Sequence, residues 1–205
     1  MNKTNRLGAG ALVALASTSL SACGILARVE RPEPDRLARW QALPLPPDPA
    51  LAAKALAGNG PCLMDDPGDN VVEPVPVVLV QDRRTVDSAA FLVQSPNHFG
   101  SCTITRASGM SGGGYGPPLA ALEGPLSIDD QGSGTLGDGM ANELGGRIGI
   151  PAARVIVQLD DGTVVTASVA NGFWLTWWPL NATARRVVAL DGTGAELASL
   201  AVTNP

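Results

Sequence analysis

Five short runs of strand-forming residues, separated by tight-turn signals, fill the last 50 residues and constrain the fold more than any other feature. The runs cover 154–159, 163–169, 173–178, 185–190 and 196–202. Two separators, Asp161-Gly162 and Asn171-Gly172, are the dipeptides most strongly associated with two-residue β-hairpin turns. The pattern predicts an antiparallel C-terminal meander of five strands.

Strand-like runs also occur upstream. Residues 75–80 and 86–93 are apolar and rich in β-branched side chains, and the polar residues 81–85 separate them as a turn would. Residues 102–106 resemble a third strand. We therefore expect a mainly β fold, either an antiparallel sandwich or paired antiparallel sheets, with a short N-terminal helical segment.

Residues 107–149 differ from both flanks because glycine recurs throughout, including a Gly-Gly-Gly run at 112–114. The composition predicts a long Gly-rich loop in which only 125–129 is strand-like, although such loops are uncommon in compact domains. The cluster 111–118 could be mistaken for a phosphate cradle. It lacks the Lys-Ser/Thr pair of a P-loop, so we interpret it as surface loop.

Proline dominates residues 24–50, which predicts an extended tether reaching up to ~80 Å at about 3.1 Å per residue. Two helical segments interrupt it. Asp35 can cap a turn that ends at Trp40, and Asp48-Pro49 can open a helix through Leu56 that Gly58 ends. We expect the apolar residues of both segments to dock on the domain.

The first 24 residues resemble the signal peptide and lipobox of bacterial lipoproteins. Lys3 and Arg6 precede an apolar stretch, which leads into Leu-Ser-Ala-Cys23 followed by Gly24. The resemblance implies that residues 1–22 are removed and that Cys23 carries fatty-acyl chains such as palmitate, with no nonlipid cofactor. Two or three chains anchor a protein stably on a membrane.

The lipobox divides the chain into three parts. These are a signal peptide at 1–22, a lipidated Pro-rich tether with short helices at 23–57, and a mainly β extracytoplasmic domain at 58–205, subdivided into 58–106, 107–149 and 150–205. The expected location is the outer face of the cell membrane. Without Lys3 and Arg6, the 14 basic residues become 12 against 19 acidic ones, a formal charge of −7. That charge argues against nucleic acid as a partner.

Two cysteines remain once Cys23 is acylated. Cys62 and Cys102 would meet an oxidising compartment outside the membrane, so we expect them to form a disulfide. Closing a loop of about 40 residues would stabilise the fold by roughly 4 kcal/mol. The alternatives are a reactive thiol pair or half of a metal site, neither of which the spacing favours.

A second resemblance concerns the C-terminal part. Residues 161–179 and 187–192 are similar to the extracytoplasmic β module of uncharacterised lipoproteins and membrane-anchored proteins of high-GC Gram-positive bacteria. The resemblance implies strands and no particular activity.

The sequence shows no catalytic constellation, so we expect no catalytic residues and no metal site. His98 is the only histidine, and no Gly-x-Ser-x-Gly motif accompanies it. Acidic pairs occur at 65–66, 129–130 and 160–161, but glycosidase acids need a cleft and a shifted pKa, which a sequence does not reveal. Calcium at Asp65, Asp66 and Asp69 would lack the usual Asp-x-Asp-x-Asp-Gly spacing.

The aromatic run Phe173–Trp178 leaves one binding hypothesis. Alternation places Phe173, Leu175 and Trp177 on one strand face and Trp174, Thr176 and Trp178 on the other. Trp174 and Trp178, about 13 Å apart, are candidate ligand-binding residues if that face is exposed. The alternative is that both faces are core.

We therefore expect a nonenzymatic envelope binding or structural module, with cell-wall glycan or an envelope protein as candidate partners. An accessory subunit of a membrane complex or signalling system, and a cell-wall hydrolase, are the alternatives. A hydrolase should show a concave site with convergent polar groups.

Overall fold

The structure, a computed structural model, describes residues 39–57, 62, 75–106, 113–136 and 139–203. These residues belong to one compact unit and form one helix and twelve strands. The elements are α1 (Pro49–Leu56), β1 (Val77–Arg83), β2 (Ser88–Gln94), β3 (Phe99–Thr105), β4 (Gly113–Gly116), β5 (Asp130–Leu136), β6 (Gly139–Arg147), β7 (Arg154–Leu159), β8 (Val164–Thr166), β9 (Ser168–Ala170), β10 (Phe173–Pro179), β11 (Ala184–Leu190) and β12 (Glu196–Ala201). The prediction of a mainly β antiparallel fold is confirmed.

The strands form three four-stranded antiparallel sheets that pack face to face. The first sheet has the order β1-β2-β3-β4, the middle sheet β5-β6-β10-β9, and the last sheet β12-β11-β7-β8. One core cluster joins Leu92 of the first sheet to Trp177 of the middle sheet. Another joins Trp174 of the middle sheet to Val157 and Val187 of the last. The middle sheet is therefore covered on both faces.

Helix α1 covers the outer face of the first sheet. Asp48 caps it by accepting a hydrogen bond of 3.0 Å from the Ala50 N–H, and Leu51 and Ala55 pack on the sheet. The helix prediction is confirmed, while Gly58 lies outside the described residues. On the same face, Cys62 and Cys102 form the expected disulfide, with a Cα–Cα distance of 5.3 Å.

The chain before α1 is also part of the packed domain. Trp40 donates its indole N–H to the Trp177 carbonyl at 3.0 Å, and the Leu45 N–H donates to the Arg83 carbonyl at 2.8 Å. The docking expected of Trp40 is confirmed. The rest of the predicted turn at 35–40, apart from Arg39, lies outside the described residues.

Where the structure describes it, the Gly-rich region is mainly strand, contrary to the prediction of a long loop. It contributes β4, β5 and β6, whereas 125–129 supplies only an isolated bridge from Leu126 to Ile148. Close approach of neighbouring backbone explains part of the glycine content. A Cβ built on Gly146 would lie 2.0 Å from the Ser127 carbonyl oxygen, so no larger residue fits that crossing.

The five predicted runs do contain strands, but these strands do not form one meander, contrary to the prediction. The run 163–169 breaks at Ala167, so that β8 pairs with β7 in the last sheet and β9 pairs with β10 in the middle sheet. Strand β10 then pairs with β6 rather than with β11. Asn171 and Gly172 have φ values of 54° and 79°, as a hairpin turn with two left-handed residues requires.

Arg84 belongs to the polar segment 81–85 that the sequence predicts to be a turn, but its side chain is fully buried. Its guanidinium donates to Asp82 at 2.6 and 2.9 Å and to the Thr176 hydroxyl at 2.9 Å. It also donates to the Thr166 carbonyl. These contacts satisfy the buried charge and connect the first sheet to strands of the other two sheets.

Within the ranges described, helical structure of the length and apolar character that a bilayer crossing requires is absent.

Candidate functional site

The exposed tryptophan surface proposed for β10 does not exist. Trp174 is 0% exposed and Trp178 is 2% exposed, and both pack between the middle and last sheets. Their indole N–H groups donate to the Ser127 and Ala182 carbonyls at 3.1 and 2.8 Å. Because a third sheet covers this face, the two rings are core residues and cannot present a flat surface to a ligand.

A cleft of about 340 Å³ lies instead between the first and middle sheets. Four strands border it: β3 and β4 of the first sheet, and β5 and β6 of the middle sheet. The described residues that line it are small or polar, and they are Ser101, Thr103, Gly113, Gly114, Asp130, Gln131, Gly132, Ser133, Gly134, Thr135, Ala141 and Glu143. This volume is at the lower end of the range for small-molecule sites.

Glycine keeps the cleft open. Strands β4 and β5 are the edge strands of their sheets, and both are glycine-rich along the cleft. A Cβ built on Gly114, Gly132 or Gly134 would meet nothing within 4 Å. The cleft therefore has unoccupied space along two strand edges, where backbone N–H and C=O groups are available to a ligand.

Two carboxyl groups converge inside the cleft. In the β5–β6 hairpin, Asp130 is opposite Gly145 and Glu143 is opposite Gly132, so the two acids are diagonal neighbours on one face. Gly132, opposite Glu143, leaves open space beside that carboxyl group, since a Cβ built there would meet nothing within 4 Å. They lie within side-chain hydrogen-bonding range of one another and of Ser101 on β3.

The electrostatics of this pair are unusual. Burial raises the pKa of Glu143 well above its ordinary value, and the nearby Asp130 charge raises it further. Burial also raises the pKa of Asp130, against the opposing effect of its hydrogen bonds. Glu143 Oε1 and Asp130 Oδ2 are buried and receive no hydrogen bond from a described donor. Such a pair needs either a shared proton or a bound cation to reduce its charge.

Apart from Asp130, the described members of the acidic pairs noted in the sequence have structural roles. Asp129 forms a salt bridge of 2.9 Å with Arg147, although it adjoins Asp130 in the chain. Asp160 and Asp161 accept backbone N–H bonds in turns, from Thr183 at 2.9 Å and Thr163 at 2.8 Å. Residues 65, 66 and 69 lie outside the described residues.

Glu143 was missed by the sequence reasoning because its partner is 13 positions away and depends on hairpin register. The available signal was a single acidic residue in a glycine-rich stretch. His98 lies in the turn before β3, where its N–H donates to Ser95 Oγ at 3.0 Å, and it does not line the cleft. In the described ranges, no group of three or more His, Cys, Asp or Glu side chains could hold a metal ion.

Comparisons with protein-family models, with curated proteins and with solved structures give no match to this chain. The lipobox resemblance and the resemblance of the C-terminal residues to an extracytoplasmic β module therefore stay predictions.

Proposed function

We propose that this protein is a lipid-anchored, nonenzymatic binding module on the outer face of the cell membrane, and that its ligand occupies the cleft between the first and middle sheets. The observation that carries this proposal is an open cleft of about 340 Å³ that contains two convergent carboxyl groups. Clefts with a few convergent polar groups are the usual location of ligand sites.

The lining suits a hydroxyl-rich ligand better than an apolar one. Serine, threonine and glutamine side chains, edge-strand backbone and the carboxyl pair can each donate or accept hydrogen bonds. A cell-wall glycan strand has matching groups along its length. An envelope protein could use the same edges through an added β-strand, which makes it the competing partner.

The anchor would hold this cleft near the membrane. Because Trp40 is already docked on the domain, only residues 23–39 separate the lipid from the fold. Seventeen residues span at most ~60 Å when fully extended. The tether is therefore shorter than the ~80 Å that the proline content suggested.

The test is retention on isolated envelope material by a nonlipidated chain that starts at residue 24. Gly132→Leu should abolish retention, because its Cβ would meet nothing within 4 Å and the longer side chain would occupy cleft space. Gly192→Leu is the matched control, since its Cβ also meets nothing within 4 Å and it lies outside the cleft. Equal retention by both variants, at unchanged melting temperature, would refute the cleft as the ligand site.

A hydrolase is the second candidate, because the cleft contains two interacting carboxyl groups with raised pKa values. Carboxyl pairs that share a proton can act as general acid and general base. The assay is the release of soluble fragments from envelope material. Release that Glu143→Gln abolishes would replace the binding proposal with an enzymatic one.

A further inference from the structure

We propose that Asp130, Glu143 and Ser101 bind a hard divalent cation, Ca²⁺ or Mg²⁺, in the cleft. This inference rests on the proposed function only in placing a ligand at the same cleft. It concerns an ion that the three side chains would hold whichever partner the domain has.

One carboxyl oxygen of Glu143 lacks a hydrogen-bond donor among the described residues. Glu143 is only 8% exposed, its Oε1 receives no hydrogen bond from a described donor, and the residue lines the cleft. Leaving a buried acceptor without a partner destabilises the fold, and the effect is larger for a charged group. A cation in the cleft would supply the missing interaction.

The negative charge of the Asp130–Glu143 pair also favours a bound cation. Asp130 and Glu143 approach each other, while the guanidinium groups of Arg84 and Arg147 are engaged by Asp82 and Asp129. Neither acid of the pair forms an ion pair with a Lys, Arg or His in the part of the chain that the structure describes. Two adjacent carboxylates without a basic neighbour are an arrangement that a divalent cation stabilises.

The ligand atoms that Asp130, Glu143 and Ser101 offer suit a hard cation. All three side chains offer oxygen, which Ca²⁺ and Mg²⁺ prefer, and the described residues that line the cleft include no sulfur or imidazole. Mg²⁺ commonly binds through one or two carboxylates and keeps several waters. The glycine-lined space of about 340 Å³ leaves room for those waters, and edge-strand carbonyls could add the further ligands that Ca²⁺ requires.

The test uses the nonlipidated chain from residue 24, freed of metal with a chelator and then dialysed. Thermal unfolding is followed with 10 mM CaCl₂, with 10 mM MgCl₂, and with NaCl at the same ionic strength. Sites of this kind on extracellular modules bind with Kd values of about 10⁻⁴–10⁻³ M. We expect one of the divalent cations to raise the Tm by roughly 3–10 °C above the NaCl sample.

Glu143→Gln and Asp130→Asn should abolish that rise. Each replaces a carboxylate with an amide of the same shape, so the cation-free variants should melt at or above the wild-type temperature because the pair is no longer doubly acidic. Glu123→Gln is the control, since it makes the same charge change at an exposed position outside the cleft and should keep the full rise.

Two results would overturn the proposal. One is no rise with either divalent cation beyond that in NaCl, which would mean that a shared proton is what neutralises the pair. The other is an equal rise in Glu143→Gln. The envelope-retention experiment is run both in chelator and with the divalent cation. Retention without a cation effect on the Tm refutes only the cation, and a cation effect with no retention in either condition refutes only the proposed function.

Discussion

Replacing Trp177 with phenylalanine should cost much less stability than the same change at Trp174. Both tryptophans are 0% exposed, and both belong to β10. Trp174 donates its indole N–H to the Ser127 carbonyl at 3.1 Å, whereas the buried Trp177 Nε1 has no acceptor among the described residues. The two substitutions therefore remove similar volumes but differ in hydrogen bonding.

The expected difference follows from that one contrast. Phenylalanine at 174 loses a hydrogen bond that contributes about 0.5–1.5 kcal/mol net. Phenylalanine at 177 removes an unpaired N–H whose burial costs about 1–3 kcal/mol. The loss of apolar contacts is common to both and largely cancels. Trp177→Phe should thus be more stable than Trp174→Phe by about 2–4 kcal/mol.

Urea unfolding of both variants, followed by far-UV circular dichroism and fitted with a common slope, measures this difference directly. It corresponds to a gap of roughly 5–15 °C in Tm for a domain of this size. Alanine at either position should cost about 3–5 kcal/mol, as for other buried aromatic residues. Equal costs for the two phenylalanine variants would show that the Trp177 N–H is hydrogen-bonded and would refute the reasoning.

Three further predictions concern the anchor, the disulfide and the Gly-rich strands. Cys23→Ala should leave the precursor uncleaved and without lipid, because thioether formation precedes cleavage. Metabolic labelling with a fatty acid measures this. Equal labelling of the variant and the wild type would refute the lipoprotein proposal. By mass spectrometry, the mature protein should be two mass units lighter before reduction than after it, because Cys62 and Cys102 form a disulfide. Two alkylatable thiols in the native protein would contradict the disulfide. Gly146→Ala should destabilise the fold by about 1–3 kcal/mol or more, because its Cβ would lie 2.0 Å from a backbone oxygen. Gly134→Ala is the control and should be tolerated, since its Cβ would lie in open space. Similar melting temperatures for both variants would argue against the close backbone approach at position 146.

The local features of this protein could be read from its sequence because they depend on neighbouring residues. Asp48-Pro49 starts α1 since a carboxylate can accept the first free N–H groups and proline tolerates the first helical position. Asn171-Gly172 forms a hairpin turn because both residues tolerate positive φ. The same kind of reasoning correctly located most strands of the C-terminal part.

The features that needed the tertiary structure all depend on residues far apart in the chain. Glycine between 113 and 146 indicated a loop, but several of these glycines lie in strands at a tight backbone crossing or along the open cleft. Burial of Trp174 and Trp178 required a third sheet that alternation cannot reveal. Asp130 and Glu143 became neighbours only through the register of the β5–β6 hairpin. Turn and cap geometry follows from local dihedral preferences, whereas burial, close approach and the pairing of charges are decided by how the sheets stack.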